Sequence, residues 1–249
     1  MRSALIVACA LASTAEAQVL EARPPRFLDQ WVWSAGAFGG LPLGDFAKHE
    51  DGGGGFEFMV GVQPWRRQPL VIRTQLATLI YGNIQATGYQ DVCDIFGCTR
   101  ETVEYTARTH LMTSFHMGPE FFATDGRVRP FAYAMPGVTW FHSSANLPPT
   151  SPGGSSPGSS SLFTSHNFST AYGGGVRFVG TRFGREFGLE LGSRVTRNTK
   201  ANYLTDGGVF FKPDGTVVVI PSRTAANVLS FGVGFWMGPY INWNERRIR

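Results

Sequence analysis

The chain has little charge, few cysteines and no long hydrophobic run beyond its N-terminus. Charged residues make up 16% of its 249 positions and the net charge is +4, without a lysine- or arginine-rich block. No nucleic-acid motif is present, so no nucleic-acid partner is expected. After residue 18 no stretch is long and apolar enough for a membrane helix. Glycine, at 31 residues, and aromatic residues, at 13%, are abundant, which suits strands joined by tight turns.

The N-terminal segment has the pattern of a secretory signal peptide. A positively charged start precedes the apolar run 4–14, and Ala15-Glu16-Ala17 matches a cleavage site. An alternative is lipid attachment at Cys9, because 6–9 loosely matches the motif for that modification. We therefore expect a cleaved signal peptide at 1–17, a polar segment at 18–30 and one domain at 31–249.

Two cysteines remain once the signal peptide has been removed. Cys93 and Cys98 close a small loop, and in an oxidising compartment a disulfide between them is the default expectation. A metal site would need two more ligands nearby, and none is obvious in the sequence. We therefore expect no metal and no cofactor.

The last strand, 227–237, carries large apolar residues at every second position. Small or polar residues fill most of the positions between them, as in a strand with one face toward an apolar medium. A tilted strand of this length crosses a bilayer. Since only helices and closed barrels satisfy their backbone in lipid, a mature chain that spans a membrane is predicted to be a β-barrel.

Seven further segments alternate in the same way, which gives eight predicted strands. Their connections alternate between long and short, as in outer-membrane barrels. Pro136 lies inside the fifth strand and predicts a bulge or a break there. Tryptophans and tyrosines near strand ends, including Tyr81, are expected at the membrane interface, and 216–220 predicts a hairpin within the last loop. The strands are 31–40, 56–64, 70–81, 105–119, 129–141, 168–179, 186–197 and 227–237, and the long loops are 41–55, 82–104, 142–166 and 198–226.

In this layout the chain resembles the small eight-stranded outer-membrane barrels, the group of the OmpA transmembrane domain, OmpX and the opacity proteins. The resemblance implies an all-β, antiparallel up-and-down transmembrane barrel with short periplasmic turns, long extracellular loops and a periplasmic segment at 18–30. It also implies a monomer in the Gram-negative outer membrane, in contact with lipid and lipopolysaccharide. Its last strand matches the signal read by the barrel-assembly machinery, although a basic tail, 245–249, continues beyond it. The matching residues are Ser230, Gly232, Phe235 and Met237.

Alternation also predicts which polar side chains face the barrel interior. Eight strands leave an interior that side chains just fill, and buried charges must be paired, so a plugging network is the main interpretation. An alternative is a small anion pore, porin-like, because four predicted arginines outnumber two glutamates. The two histidines are too far apart along one strand to share a metal. The predicted interior residues are Glu57, Arg73, Arg108, His110, His116, Arg177, Glu190 and Arg194.

Two alternatives belong to other functional classes. The sequence from His142 to Asn146 is similar to the His-x-Ser-Asn-Ala motif of outer-membrane lipid A deacylases, which would make His142 a base and Ser144 a nucleophile. Its last two residues are swapped, and no acidic residue occurs between Asp125 and Glu186. A soluble lipocalin-like carrier would instead have an apolar interior and a polar exterior.

The main expectation is a barrel without catalysis. Loops on a rigid scaffold are where binding usually resides, so a structural or surface-interaction role is predicted for the four long loops. The sequence does not identify their extracellular ligand.

Overall fold

The computed structural model describes residues 30–65, 68–94, 97–123, 126–146, 159–182, 185–203, 209–211 and 217–240. The predicted signal peptide at 1–17, the segment 18–29 and the tail 241–249 lie outside these residues. The side chains of Cys93, Cys98, Arg108 and Ser144 also lie outside the description, although the backbone of each is placed.

Eight antiparallel strands close into a barrel, in the order β1-β12-β7-β6-β5-β4-β3-β2. The predicted all-β, eight-stranded, up-and-down fold is therefore confirmed. No helix in the described ranges has the length and hydrophobicity of a membrane span. The barrel strands are β1 (Trp31–Leu43), β2 (Gly53–Val62), β3 (Leu70–Asp94), β4 (Gly97–Phe122), β5 (Val128–Asn146), β6 (Ser159–Arg182), β7 (Arg185–Asn198) and β12 (Asn227–Tyr240); the short strands are β8 (Lys200–Tyr203), β9 (Val209–Phe211), β10 (Val217–Val219) and β11 (Ser222–Ala225).

The barrel has two unlike ends. The β2–β3, β4–β5 and β6–β7 connections lie at one end, which we call the turn end. The other four connections lie at the opposite end, which we call the loop end. There a 3-10 helix (Phe46–Lys48) follows β1.

The predicted loop 82–104 is wrong, because β3 and β4 continue through it as a paired hairpin. Asn83 lies opposite Arg108, and the pairing runs on to Asp94 opposite Gly97. Cys93 lies opposite Cys98 in this register, and the disulfide itself remains a prediction. Strands were predicted from the alternation of apolar residues. A hairpin outside an apolar medium does not need this alternation, so the sequence did not indicate it.

The remaining loops also contain more strand than expected. β5 reaches Asn146 and β6 begins at Ser159, which shortens the predicted loop 142–166. In the loop 198–226 the predicted hairpin is confirmed, since β9 pairs with β10. The pairing of β8 with β11 was not predicted.

Pro136 does not break its strand. β5 stays paired with β6 through Pro136, which lies opposite Thr170. On the other side, the β4–β5 pairs stop at His116 opposite Gly137 and resume at Glu120 opposite Tyr133 without a shift of register. The predicted bulge or break is therefore wrong: β5 continues in register, and one of its two ladders is interrupted where Pro136 and Pro119, which have no backbone donor, lie on the facing strands.

The two faces of the wall have opposite chemistry. Large apolar side chains cover the outside, spanning 187–195 on β7 and 229–237 on β12, while arginine, glutamate and histidine side chains are buried inside. The lipocalin-like alternative, which needs the reverse, is therefore wrong. Tyr81 is also a correction, because it is 3% exposed and lies inside the barrel rather than at an interface. Exposed apolar residues include Phe58, Ile72, Leu76, Phe115, Met117, Phe168, Phe178, Leu189, Leu191, Phe231, Val233 and Phe235.

Candidate functional site

A cluster of four charges occupies the middle of the barrel interior. Glu120 on β4 is fully buried and accepts hydrogen bonds from Arg73 on β3 at 2.6 Å and from Arg177 on β6 at 2.5 and 2.9 Å. Arg177 donates to Glu120 through two nitrogens, the fork geometry that makes arginine–carboxylate pairs strong. The pairing crosses the interior, since β5 separates β4 from β6.

Glu190 on β7 completes this group. Its carboxylate lies 2.7 Å from Arg177 Nε and 3.6 Å from Arg73 Nη1. Arg177 lies directly opposite Glu190 in the β6–β7 register. Two arginines and two glutamates thus balance one another, as buried charges must. We call Arg73, Glu120, Arg177 and Glu190 the central ion cluster.

Aromatic rings surround the two guanidinium groups of the central ion cluster. The Arg73 guanidinium lies 4.4 Å from the ring centroid of Tyr133, and that of Arg177 lies 4.3 Å from Phe131 and 5.1 Å from Trp236. Cation–π contacts of this kind gain strength where water is excluded. The same rings leave the arginines little room to move.

A second polar group lies nearer the loop end. Glu57 on β2 accepts a hydrogen bond from Gln75 at 2.6 Å and another from Arg194 at 2.8 Å. The Arg194 guanidinium also lies 4.9 Å from the ring centroid of Phe38. Arg194 stands on β7, so its pair with Glu57 joins distant strands of the barrel. Glu190 and Arg194 share the inner face of β7, and their ion pairs reach Arg177 on β6 and Glu57 on β2.

Both predicted histidines are buried and bound to serine hydroxyls. His110 Nδ1 lies 2.6 Å from Ser143 Oγ, and His116 Nε2 lies 2.9 Å from Ser169 Oγ. Thr139 donates a further hydrogen bond to Ser169. In the part of the chain that the structure describes, no group of three histidine, cysteine or acidic residues is placed to bind a metal. These histidines therefore lie in separate hydrogen-bonded sites of the wall.

Aromatic side chains close the interior at the loop end. Phe46, from the 3-10 helix, packs edge-on against Tyr81 and Tyr203, with ring centroids 5.4 and 5.0 Å apart. The ring centroids of Phe141 on β5 and Tyr203 are 6.2 Å apart. All four residues belong to one buried apolar cluster. We call Phe46, Tyr81, Phe141 and Tyr203 the aromatic cap.

The turn end is closed by different contacts. Arg129 donates two hydrogen bonds to Glu186, at 2.6 and 2.7 Å, in a largely buried pair. An apolar cluster lies in the barrel interior next to this pair, and it consists of Val32, Met59, Val71, Val179 and Trp236.

A small cavity lies between these layers. It has a volume of about 20 Å³ and is bordered by Phe38, Glu57, Tyr133, Glu190 and Arg194, among others. That volume holds roughly one water molecule.

Sequence reasoning missed Glu120, which accepts hydrogen bonds from both arginines of the cluster. The fourth strand was predicted to end at residue 119, one position before Glu120, whereas β4 continues to Phe122. The signal was nevertheless present, because inward residues on this strand carry even numbers, from His110 through His116 to Glu120. With Glu120 included, the described interior of the central ion cluster and the Glu57 group holds three arginines and three glutamates, since the Arg108 side chain is outside the description.

The residues of the hydrolase alternative do not form a described dyad. His142 Nδ1 lies 3.1 Å from Thr164 Oγ1 on the neighbouring strand. The β5–β6 register shifts between Ser143 and Ser144, where β6 carries the extra residue, and the side chain of Ser144 lies outside the description. Ser143, the buried neighbour of His142, contacts His110 of β4 instead.

The predicted assembly residues all lie on β12, the strand that closes the barrel between β1 and β7. Ser230 is buried on the inner side, whereas Phe235 is exposed on the outer side. Gly232 lies opposite Phe38 of β1, and Met237 lies opposite Trp33. Their recognition by assembly machinery remains a prediction.

No protein-family model matches the chain, and no curated protein matches it. Among solved structures, Neisserial surface protein A is similar over 85% of this chain and 97% of its own, at 11% identity and a TM-score of 0.44. Ail, the attachment invasion locus protein of Yersinia pestis, solved with the heparin analogue sucrose octasulfate, is similar over 83% of this chain and 97% of its own, at 14% identity and a TM-score of 0.40. The functional conclusion therefore rests on the surfaces of this chain.

Proposed function

We propose that the chain is an integral outer-membrane barrel with a closed interior, and that its function is carried by the surface of its loop end. The observation that carries the proposal is the apolar outer wall, which lies back to back with a charged and buried inner wall. In water these apolar residues would form one exposed patch, much larger than the apolar patches on soluble monomers. Lipid outside satisfies both faces, and the strand lengths fit a bilayer.

The paired charges of the interior and the aromatic cap support a structural or surface-interaction role rather than conduction. The anion-pore alternative depended on an excess of arginine, and Glu120 removes that excess among the described side chains. The contacts of His142 and Ser143 likewise give no support to the lipid-hydrolase alternative. We also propose that the barrel is a monomer and that the chain is exported by its signal peptide.

Planar-bilayer recording tests the closed interior. We expect the chain without residues 1–17, refolded and added to a bilayer in KCl, to insert and pass no stepwise current. Small anion-selective steps would instead favour the arginine-lined pore. A chain that stays folded and dissolved without detergent would contradict the membrane placement itself.

Leu191→Arg tests which face meets lipid. Leu191 is exposed in the middle of the apolar span 187–195 on β7. An arginine near the bilayer midplane should lower the free energy of unfolding by about 2–4 kcal/mol, measured by urea titration in lipid vesicles. Thr181→Arg, exposed at the turn end, is the control and should cost roughly 0–1 kcal/mol. Equal effects of the two changes would contradict a lipid-facing position for Leu191.

A further inference from the structure

Four basic side chains form a patch on the outside of the barrel at its loop end. His166 on β6, Arg197 on β7, Lys200 on β8 and Arg223 on β11 are all exposed. We call these four residues the basic rim patch.

The backbone makes the basic rim patch continuous. The amide of Thr199, just before Lys200, donates to the carbonyl of Phe168 at 3.0 Å, which places the start of β8 beside β6. β11 pairs with β8 on its other side, so that Arg223 lies opposite Asn202. Arg197 lies opposite Thr170 of β6. Four elements therefore bring their basic residues to one area of the rim.

The apolar outer wall begins directly beneath this patch. Phe168, two residues from His166 on the same face of β6, is 56% exposed. The Arg197 guanidinium lies 5.5 Å from the ring centroid of Tyr172, which is 38% exposed. Arginine against an interface tyrosine keeps its stem on apolar surface and its charge at the boundary. The patch therefore faces sideways, where the apolar surface ends, rather than upward into solvent.

No described residue on this side of the outer wall has an exposed carboxylate, while Asp206 and Asp214 of the loop 198–226 lie outside the description. Residues 126–185 and 191–205 contain no aspartate or glutamate. The acidic residues between them, Glu186 and Glu190, are both buried and paired with arginines. On the opposite side of the loop end, by contrast, Asp45 and Asp51 are exposed.

We propose that the basic rim patch binds the phosphate groups of an anionic lipid in the leaflet that surrounds the loop end. The inference rests on the proposed membrane placement. Guanidinium groups match phosphate geometry, and an ammonium adds a compact charge. A membrane lipid is the favoured occupant because it alone meets the apolar wall and the basic patch together. A soluble phosphorylated or sulfated polyanion would gain nothing from contact with the apolar surfaces of Phe168 and Tyr172.

The experiment compares two triple variants of the whole chain refolded into zwitterionic vesicles. One removes the patch (Arg197→Gln, Lys200→Gln, Arg223→Gln). The other removes three charges elsewhere (Lys48→Gln, Arg127→Gln, Arg182→Gln). Each protein is transferred to nanodiscs doped with bisphosphorylated lipid A or with its dephosphorylated form, and bound lipid is counted by native mass spectrometry.

We expect the unchanged chain and the control variant to retain the phosphorylated lipid preferentially. The patch variant should lose that preference by about tenfold or more, because one basic side chain near an anionic surface contributes on the order of fivefold. Equal retention by the two variants would overturn the proposal. Tight binding of soluble inositol hexakisphosphate without any lipid preference would also overturn it, in favour of a soluble polyanion. Failure to enter zwitterionic vesicles would instead contradict the membrane placement, which separates the two claims.

Discussion

The central ion cluster and the aromatic cap both fill the barrel interior, but they are built from different parts of the chain. Every member of the cluster stands on a barrel strand, so the hydrogen-bonded registers of β3, β4, β6 and β7 fix its geometry. The cap combines Tyr81 and Phe141 of the barrel wall with Phe46 from the 3-10 helix and Tyr203 from the short strand β8. Phe46 can therefore move into water without breaking a ladder, whereas a cluster side chain cannot.

This difference separates global stability from local opening. A buried charge that loses its partner cannot be rehydrated inside the closed barrel. The loss of the partner therefore lowers the free energy of unfolding of the whole barrel. Loop residues open with lower free energies than the elements they cover. We therefore expect changes in the cluster to alter unfolding of the barrel, and changes in the cap to alter access to its mouth.

Glu120→Ala should have the largest effect. It leaves Arg73 and Arg177 with Glu190 as their described carboxylate partner, and removing one partner of a buried pair costs about 3–5 kcal/mol. Urea titration of refolded protein in vesicles measures this loss. The control is Ser114→Ala, an inward polar residue on the same strand outside the cluster, with an expected loss below about 1.5 kcal/mol. Equal losses would mean that the cluster does not act as a paired unit.

Arg194→Met should have an intermediate effect, because this side chain joins the two regions. Its guanidinium pairs with Glu57 and lies against Phe38, which belongs to the same apolar cluster as the aromatic cap. Glu57 keeps its hydrogen bond from Gln75 and is partly exposed, so the expected loss of stability is about 1–3 kcal/mol. The same urea titration applies. A loss as large as that of Glu120→Ala would show that Glu57 is as poorly solvated as the central cluster.

Phe46→Ala should open the mouth with little effect on the barrel. The ring is buried against Tyr81 and Tyr203, yet it stands on a short 3-10 helix outside the wall. Hydrogen exchange in residues 44–52 and 200–203 should become faster, while the free energy of barrel unfolding changes by less than about 1 kcal/mol. Leu76→Ala, on the outer wall, is the control and should leave exchange in these loops unaltered. Unchanged exchange in the Phe46 variant would contradict a loop-held cap.

The same contrast explains how far the sequence predicted the interior. An apolar medium on one side imposes alternation, so the inward positions of Arg73, Arg177, Glu190 and Arg194 follow from a period of two. Glu120 was missed because the predicted strand ended at residue 119, although its even number matches the other inward residues of β4. The pairing between strands was out of reach, because register across the interior leaves no periodic trace in one sequence.

The aromatic cap was less accessible to prediction. Tyr81 fits an interface belt as well as a buried cluster, since tyrosine is amphipathic, and only its parity with Arg73 and Gln75 indicates the interior. Phe46 and Tyr203 lie in the predicted loops 41–55 and 198–226, outside the apolar alternation that was used to find strands. The basic rim patch was also missed, because its members come from four separate elements.

Lys48→Ala should have the smallest effect and tests an ion pair in full contact with water. Lys48 donates to Asp45 at 2.7 Å, on the same 3-10 turn as Phe46, with both side chains exposed. This hydrogen bond, and then the charge of Lys48, holds the pKa of Asp45 below its ordinary value. A lowered carboxyl pKa favours the folded state above the ordinary value and loses that effect as pH falls through the lowered one. The variant should therefore raise the Asp45 pKa toward its ordinary value in a carbon-13 NMR titration, with no measurable change in barrel unfolding at neutral pH. A clear loss of barrel stability would mean that exposed and buried pairs in this protein are not as different as the comparison requires.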